Sequence, residues 1–100
     1  MTILAKQRKQ PGETLDYDIA YSGSDLPSGD TIVSASATRV CLTDPTDTAL
    51  DIMSVTFTAK RSKVWLADGT SGKRYKVTVV ATSAAGRVFE DEFTIDVRED

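Results

Sequence analysis

From Arg74 to Val97 the chain reads as two long strands folded over a tight turn. Tyr75, Val77, Val79 and Ala81 alternate with Lys76, Thr78 and Thr82. After Ser83-Ala84-Ala85-Gly86-Arg87, the residues Phe89, Phe93, Ile95 and Val97 alternate with Glu90, Glu92, Thr94 and Asp96. A period of two puts successive side chains on opposite faces of a sheet, so each arm has one apolar and one polar face. Gly86 supplies a turn residue able to take positive φ. This hairpin is expected to form one wall of the core.

Val, Ile, Thr, Tyr and Phe are spread through the chain and no Ala/Leu/Glu/Lys heptads occur, which favours strands over helices and predicts an all-β class. One hundred residues suffice for a single core and leave little room for a second. The formal charge of −3 is unevenly placed. Lys6, Arg8 and Lys9 fall in the first twelve residues with no acid, leaving nine basic against fifteen acidic side chains in residues 13–100, a net −6. A basic arm on an acidic body argues against nucleic-acid binding by the body, because phosphate contacts need a concentrated basic face. It suits an arm that docks on an acidic partner.

Cys41 stands alone, so no intrachain disulfide is expected, and the thiol reads as a small buried hydrophobe. Met1-Thr2-Ile3-Leu4-Ala5 is followed at once by charge, unlike a secretory signal, and no apolar run approaches the ~20 residues of a membrane helix. Synthesis and folding in a reducing cytoplasm, with no membrane contact, is the expectation.

Residues 1–12 form an arm. Ile3-Leu4-Ala5 suits addition to a sheet edge, Pro11-Gly12 a turn or hinge, and the arm is expected to be less ordered than the domain at 13–100. Thr14 to Tyr21 reads as a half-buried strand with Leu15, Tyr17, Ile19 and Tyr21 on one face. Ser22–Asp30 is loop by composition, with Leu26 placed to tuck beneath it. Thr31 to Val40 is strand-like but changes apolar parity after Ile32, as a bulge or two partly buried faces would produce. Thr43 to Thr48 is a turn around Pro45. Leu50 and Ile52 then give way to Met53, Val55, Phe57 and Ala59, a parity switch that predicts a strand bending from one sheet towards the other. Lys60-Arg61-Ser62 turns the chain, and Val64-Trp65-Leu66 is a short strand before the loop Asp68–Gly72. The count is about seven strands, the pattern of a Greek-key sandwich.

Several groups invite a chemical reading. Asp16 with Asp18, and Asp44, Asp47 and Asp51 around one turn, offer carboxylates to a hard cation. Both lack the ligand density and glycine spacing of a calcium loop, so a solvated face and an Asx turn are preferred. Asp91 shares parity with Phe89 and Phe93 and should point inwards. The preferred reading is a bulge or strand end that leaves it wet, and the alternative is an inward charge that blocks edge pairing. Trp65 and Tyr75 read as core anchors rather than stacking platforms. Histidine is absent, Cys41 has no base beside it and no serine stands in a nucleophile-elbow context, so catalysis is not expected and no cofactor is called for.

Gly72-Lys73-Arg74-Tyr75-Lys76-Val77 resembles the lead-in to the penultimate strand of an immunoglobulin-like antiparallel β-sandwich, where a tyrosine hydroxyl anchors a corner. Val77 stands where antibody domains place a cysteine. On a wider scale, several stretches resemble in order and spacing the small fiber-tail adaptor proteins of tailed bacteriophages. These are Lys9-Gln10-Pro11-Gly12-Glu13-Thr14-Leu15-Asp16-Tyr17-Asp18-Ile19, Gly29-Asp30-Thr31-Ile32, Val64-Trp65-Leu66, Tyr75–Val79, Ala85-Gly86-Arg87 and Glu92-Phe93-Thr94-Ile95. The resemblance implies a non-enzymatic virion protein, present in several copies on the tail or nozzle, that seats a fibre. On that reading Ile3, Leu4, Lys6, Arg8 and Lys9 dock on the tail, while Leu26 in the Ser22–Asp30 loop and Asp68 and Thr70 in the next loop face the fibre. The competing class is a receptor- or carbohydrate-binding module at the particle surface. A bacterial adhesion repeat is disfavoured, because the chain starts at Met1 without an export signal.

Overall fold

The computed structural model describes residues 7–21, 26–27 and 29–99. Among them the chain forms seven strands and no helix: β1 (Gln7–Lys9), β2 (Leu15–Ala20), β3 (Ile32–Cys41), β4 (Leu50–Thr58), β5 (Arg61–Asp68), β6 (Lys73–Ser83) and β7 (Val88–Val97). Two sheets, ordered β1-β7-β6-β3 and β2-β5-β4, enclose one core as a β-sandwich.

The alternating segments at the C-terminal end form the expected hairpin. β6 and β7 pair without interruption from Lys73 opposite Val97 to Thr82 opposite Val88. Gly86 takes φ +92°, its amide donates to the Ser83 carbonyl at 3.0 Å, and the Ser83 amide donates to the Arg87 carbonyl at 2.8 Å. The inward rows are Tyr75, Val77, Val79 and Ala81 on β6 and Phe93, Ile95 and Val97 on β7. They pack against Ile19, Leu50, Val64 and Leu66 of the other sheet. Burying a side chain of this size contributes about 1.5–3 kcal/mol before the entropy of ordering is subtracted. Two ring pairs bridge the sheets at the β2–β7 margin, Tyr17 with Phe93 at 5.5 Å between centroids and Tyr21 with Phe89 at 5.3 Å.

Both parity slips are bulges. The β3–β6 register shifts between Ile32 and Ser34, which turns Val33 outwards, and the β4–β5 register shifts between Ile52 and Ser54 at Met53. The second corrects the sequence reading: β4 stays in one sheet throughout, because an extra residue reverses side-chain parity as effectively as a change of sheet does. The chain turns at residues 59–60, and Arg61 already pairs with Thr58.

Three further expectations are corrected. Trp65 is half-buried on the outer face of β5, since Val64 and Leu66 occupy the inward parity; Lys63 Nζ stands 5.9 Å from its ring centroid. Asp91 is buried, opposite Val79 in an unbroken ladder, so no bulge carries it to water. Gln7–Lys9, within the segment expected to be a loosely ordered arm, forms a strand parallel to Ile95–Val97, the one parallel pairing among the described residues.

Candidate partner-binding site

The strands β2 to β7 run alternately up and down, so the connections collect at two ends. One end holds the close of β1, the 42–49 loop and the 69–72 loop. The other holds residues 26–27 and 29–31, the 59–60 turn and the 84–87 turn. At ~3.3 Å per residue the eleven residues of β6 separate them by roughly 35 Å.

The first end is built around Lys9 and Tyr75. Lys9 is 1% exposed, and its Nζ donates to the carbonyl of Asp68 at 2.6 Å and to that of Gln10 at 2.9 Å. Burial pushes the ammonium pKa down, while the negative charges of Asp68 and Glu13 act to raise it. Asp68 takes φ +61°, uncommon for a side-chain-bearing residue, and the next residue, Gly69, takes +103°. The fully buried Tyr75 hydroxyl accepts from the Thr70 amide at 2.9 Å and donates to Asp47 Oδ1 at 2.8 Å. It thereby ties two loops to the sheet, as the sequence reading expected of a corner tyrosine. Asp47 also accepts the Ala49 amide at 2.8 Å; that bond, followed by bonds from Thr70 and Tyr75, holds its carboxyl below the usual range. Gly72 donates to the Val97 carbonyl at 2.7 Å, and Arg98 to that of Lys9 at 2.9 Å.

The opposite end is organised by Asp30. Its Oδ1 accepts the amides of Thr31 and Ala85, both at 3.0 Å, and its Oδ2 pairs with Arg87 at 2.7 Å. The Ser83 hydroxyl leads in lowering the Asp30 pKa to about 2, followed by the Ala85 amide, the Arg87 guanidinium and the Thr31 amide, against a desolvation cost of opposite sign. Lys60 Nζ donates to the carbonyls of Asp30 at 2.7 Å and Pro27 at 3.2 Å, linking the turn between β4 and β5 to the same knot.

The residues singled out from the sequence therefore do not form one surface. Arg8, Asp68 and Thr70 are exposed at or near the first end. Lys9 joins them there but is buried, which corrects its assignment as a docking residue: its charge is spent on carbonyls of its own domain. Leu26 is likewise corrected, at 1% exposure in the core of the opposite end. Ile3, Leu4 and Lys6 lie outside the described residues. Asp16 and Asp18 lie on an outer sheet face beside Lys63 and Arg61. Among the described residues no group of three or more acidic, Cys or His residues is disposed to hold a metal ion. Sequence reasoning placed Asp30, Lys60 and Arg87 in separate turns and missed that they join in one knot; the local signal was an acid directly after a Pro-Ser-Gly stretch, before a strand.

The family model described as podophage GP4 fiber-tail adaptor protein gp77 matches residues 9–96. No curated protein matches the chain.

Proposed function

This chain belongs to the podophage GP4 fiber-tail adaptor family, and on that premise we propose that it is a non-enzymatic scaffold of the virion tail that joins the tail or nozzle to a fibre through its two ends. The family match carries the reading. The contact between Lys9 and Asp68 refines it, because the close of the arm and the 69–72 loop share one end and so serve one partner. In this arrangement Arg8, Asp68 and Thr70, with residues 1–6, dock on the tail or nozzle. The end knotted by Asp30 faces the fibre. Several copies on a symmetric tail turn modest single contacts into lasting attachment.

Two observations support a scaffold with rigid ends. Among the described residues the loops at both are fixed by bonds to buried side chains, so these parts have little ordering entropy to lose when a partner docks. The 35 Å or so between them lets two partners bind without competing. The test is deletion of residues 1–6, which spares β1 and Lys9, followed by mass spectrometry of purified particles. The truncated protein should fold and be missing from the tail, whereas normal incorporation overturns the tail-docking assignment.

A further inference from the structure

The two long margins of the sandwich differ in how their edge strands are protected. One margin is closed by β1, three residues long among the described residues, and by β2, whose outer face carries Asp16 and Asp18 beside Lys63 and Arg61. Charge on an edge strand is a usual means of keeping it from pairing with another chain. The other margin is closed by β3 and β4, ten and nine residues long. Each has a single charged side chain, Arg39 and Asp51, and neither has a proline. Arg39 is engaged, donating to the carbonyls of Leu50 and Thr48.

Exposed apolar side chains concentrate on this margin. Among the described residues the large ones are Val33, Val40, Leu42, Met53, Phe57 and Val88, and all but the last lie on β3, on β4 or directly after β3. Phe57 has inward parity, opposite the buried Ser62, yet is 43% exposed. On the same two strands Ala35, Ala37, Ile52 and Val55 are only half-buried against the core, although the margin is bridged at its ends by the Ile32 amide donating to the Ala59 carbonyl at 2.9 Å and by Arg39. Single exposed hydrophobes are ordinary, but five on one unguarded margin are the mark of a docking surface.

We propose that this margin takes an extended, uncharged segment of a different polypeptide, which adds as a strand to β3 and lays alternate apolar side chains over Val55 and Phe57. β3 is the pairing edge because it runs in register with β6 from Ser34 to Cys41, whereas the bulge at Met53 interrupts β4. The recognition is strand addition: main-chain bonds give affinity and the apolar row gives specificity. Charge selects the occupant. A charged strand would bury unpaired charge against an apolar edge, and a second copy would bring together two chains each carrying −3. This inference rests on the adaptor reading, which supplies a virion protein as the partner.

The test compares full-length wild type with the variant Met53→Lys/Phe57→Lys, and with Ala20→Lys on the guarded margin as control. A photo-crosslinking residue is placed at Thr38 in each. All three proteins should fold, the double variant melting somewhat lower because Phe57 is only 43% exposed, whereas Met53 and Ala20 are on the surface. In purified particles the wild type and control should crosslink through position 38 to an uncharged, strand-forming stretch of another virion protein. The double variant should lose at least about tenfold of that crosslink, as two unpaired charges at the edge would cause. Chain present in particles with no crosslink, a crosslink to a second copy, or an unchanged yield from the double variant overturns the inference and leaves the adaptor reading standing. Absence of the chain from particles overturns both.

Discussion

The side chain of Lys9, itself 1% exposed, donates to the main-chain carbonyl of Asp68 across 59 residues of sequence, at 2.6 Å. This bond holds β1 and the loop after β5 together. It also supports a loop that begins with two positive-φ residues in succession, Asp68 and Gly69.

Lys9→Ala removes both bonds and the buried stem. The two carbonyls it serves are only part-buried and can turn to water, so each lost bond costs about 0.5–1.5 kcal/mol, to which the lost packing of the stem adds. The expected result is a lower urea midpoint together with faster amide exchange at Arg98, whose amide donates to the Lys9 carbonyl. Lys9→Met, which restores most of the stem, should recover part of the stability. Equal midpoints for wild type and the alanine variant would show that the ammonium contributes nothing to the fold.

Gly69 and Gly72 make a matched pair. Both take positive φ, at +103° and +86°. A Cβ on Gly69 would stand 2.8 Å from Val97 Cγ2, a β-branched side chain at the end of the organising hairpin, while one on Gly72 meets nothing within 4 Å. Gly72→Ala should therefore cost only the left-handed backbone penalty, roughly 1–2 kcal/mol. Gly69→Ala adds the displacement of Val97 and should cost about 1–3 kcal/mol more. Thermal melts of the two variants side by side decide it, and equal losses would mean that Val97 moves aside freely.

How much of this was legible in the sequence depends on the range of the interaction. The β6–β7 hairpin was, because alternation and its glycine turn are local. Buried Asp91 followed from the same alternation, and the error lay in assuming that a charge would escape inward parity. The slips at Ile32 and Ile52 were visible, but a slip alone does not say whether a residue is inserted or the strand changes sheet. Trp65 was misplaced because a three-residue apolar run fits either parity, and the deciding residue, buried Ser62, is polar. The burial of Lys9 was not legible at all, since its partner is a carbonyl presented by a distant loop. The separation of the two candidate loops could have been found by counting: antiparallel strands alternate in direction, so the connections after β2 and after β5 must fall at opposite ends.

Asp30 makes the acid limb of the stability curve a test of the other end. An unfolded aspartate titrates near 3.9, whereas Ser83, Ala85, Arg87 and Thr31 hold the folded one at about 2. The folded state thus releases this proton more readily. Its contribution to stability is complete above a pH of about 4 and is lost as the pH falls towards 2. Asp30→Asn keeps one acceptor oxygen and the shape, but removes the charge facing Arg87. The variant should be less stable at neutral pH, and the difference should shrink between about pH 4 and 2. Asp44 and Asp47, also lowered by hydrogen bonds, keep some acid sensitivity in the variant, so its curve should flatten without becoming level. Urea midpoints measured across this range provide the check: if wild type and Asp30→Asn run parallel all the way down, the carboxylate knot does not hold residues 26–27 and 29–31 to the 84–87 turn.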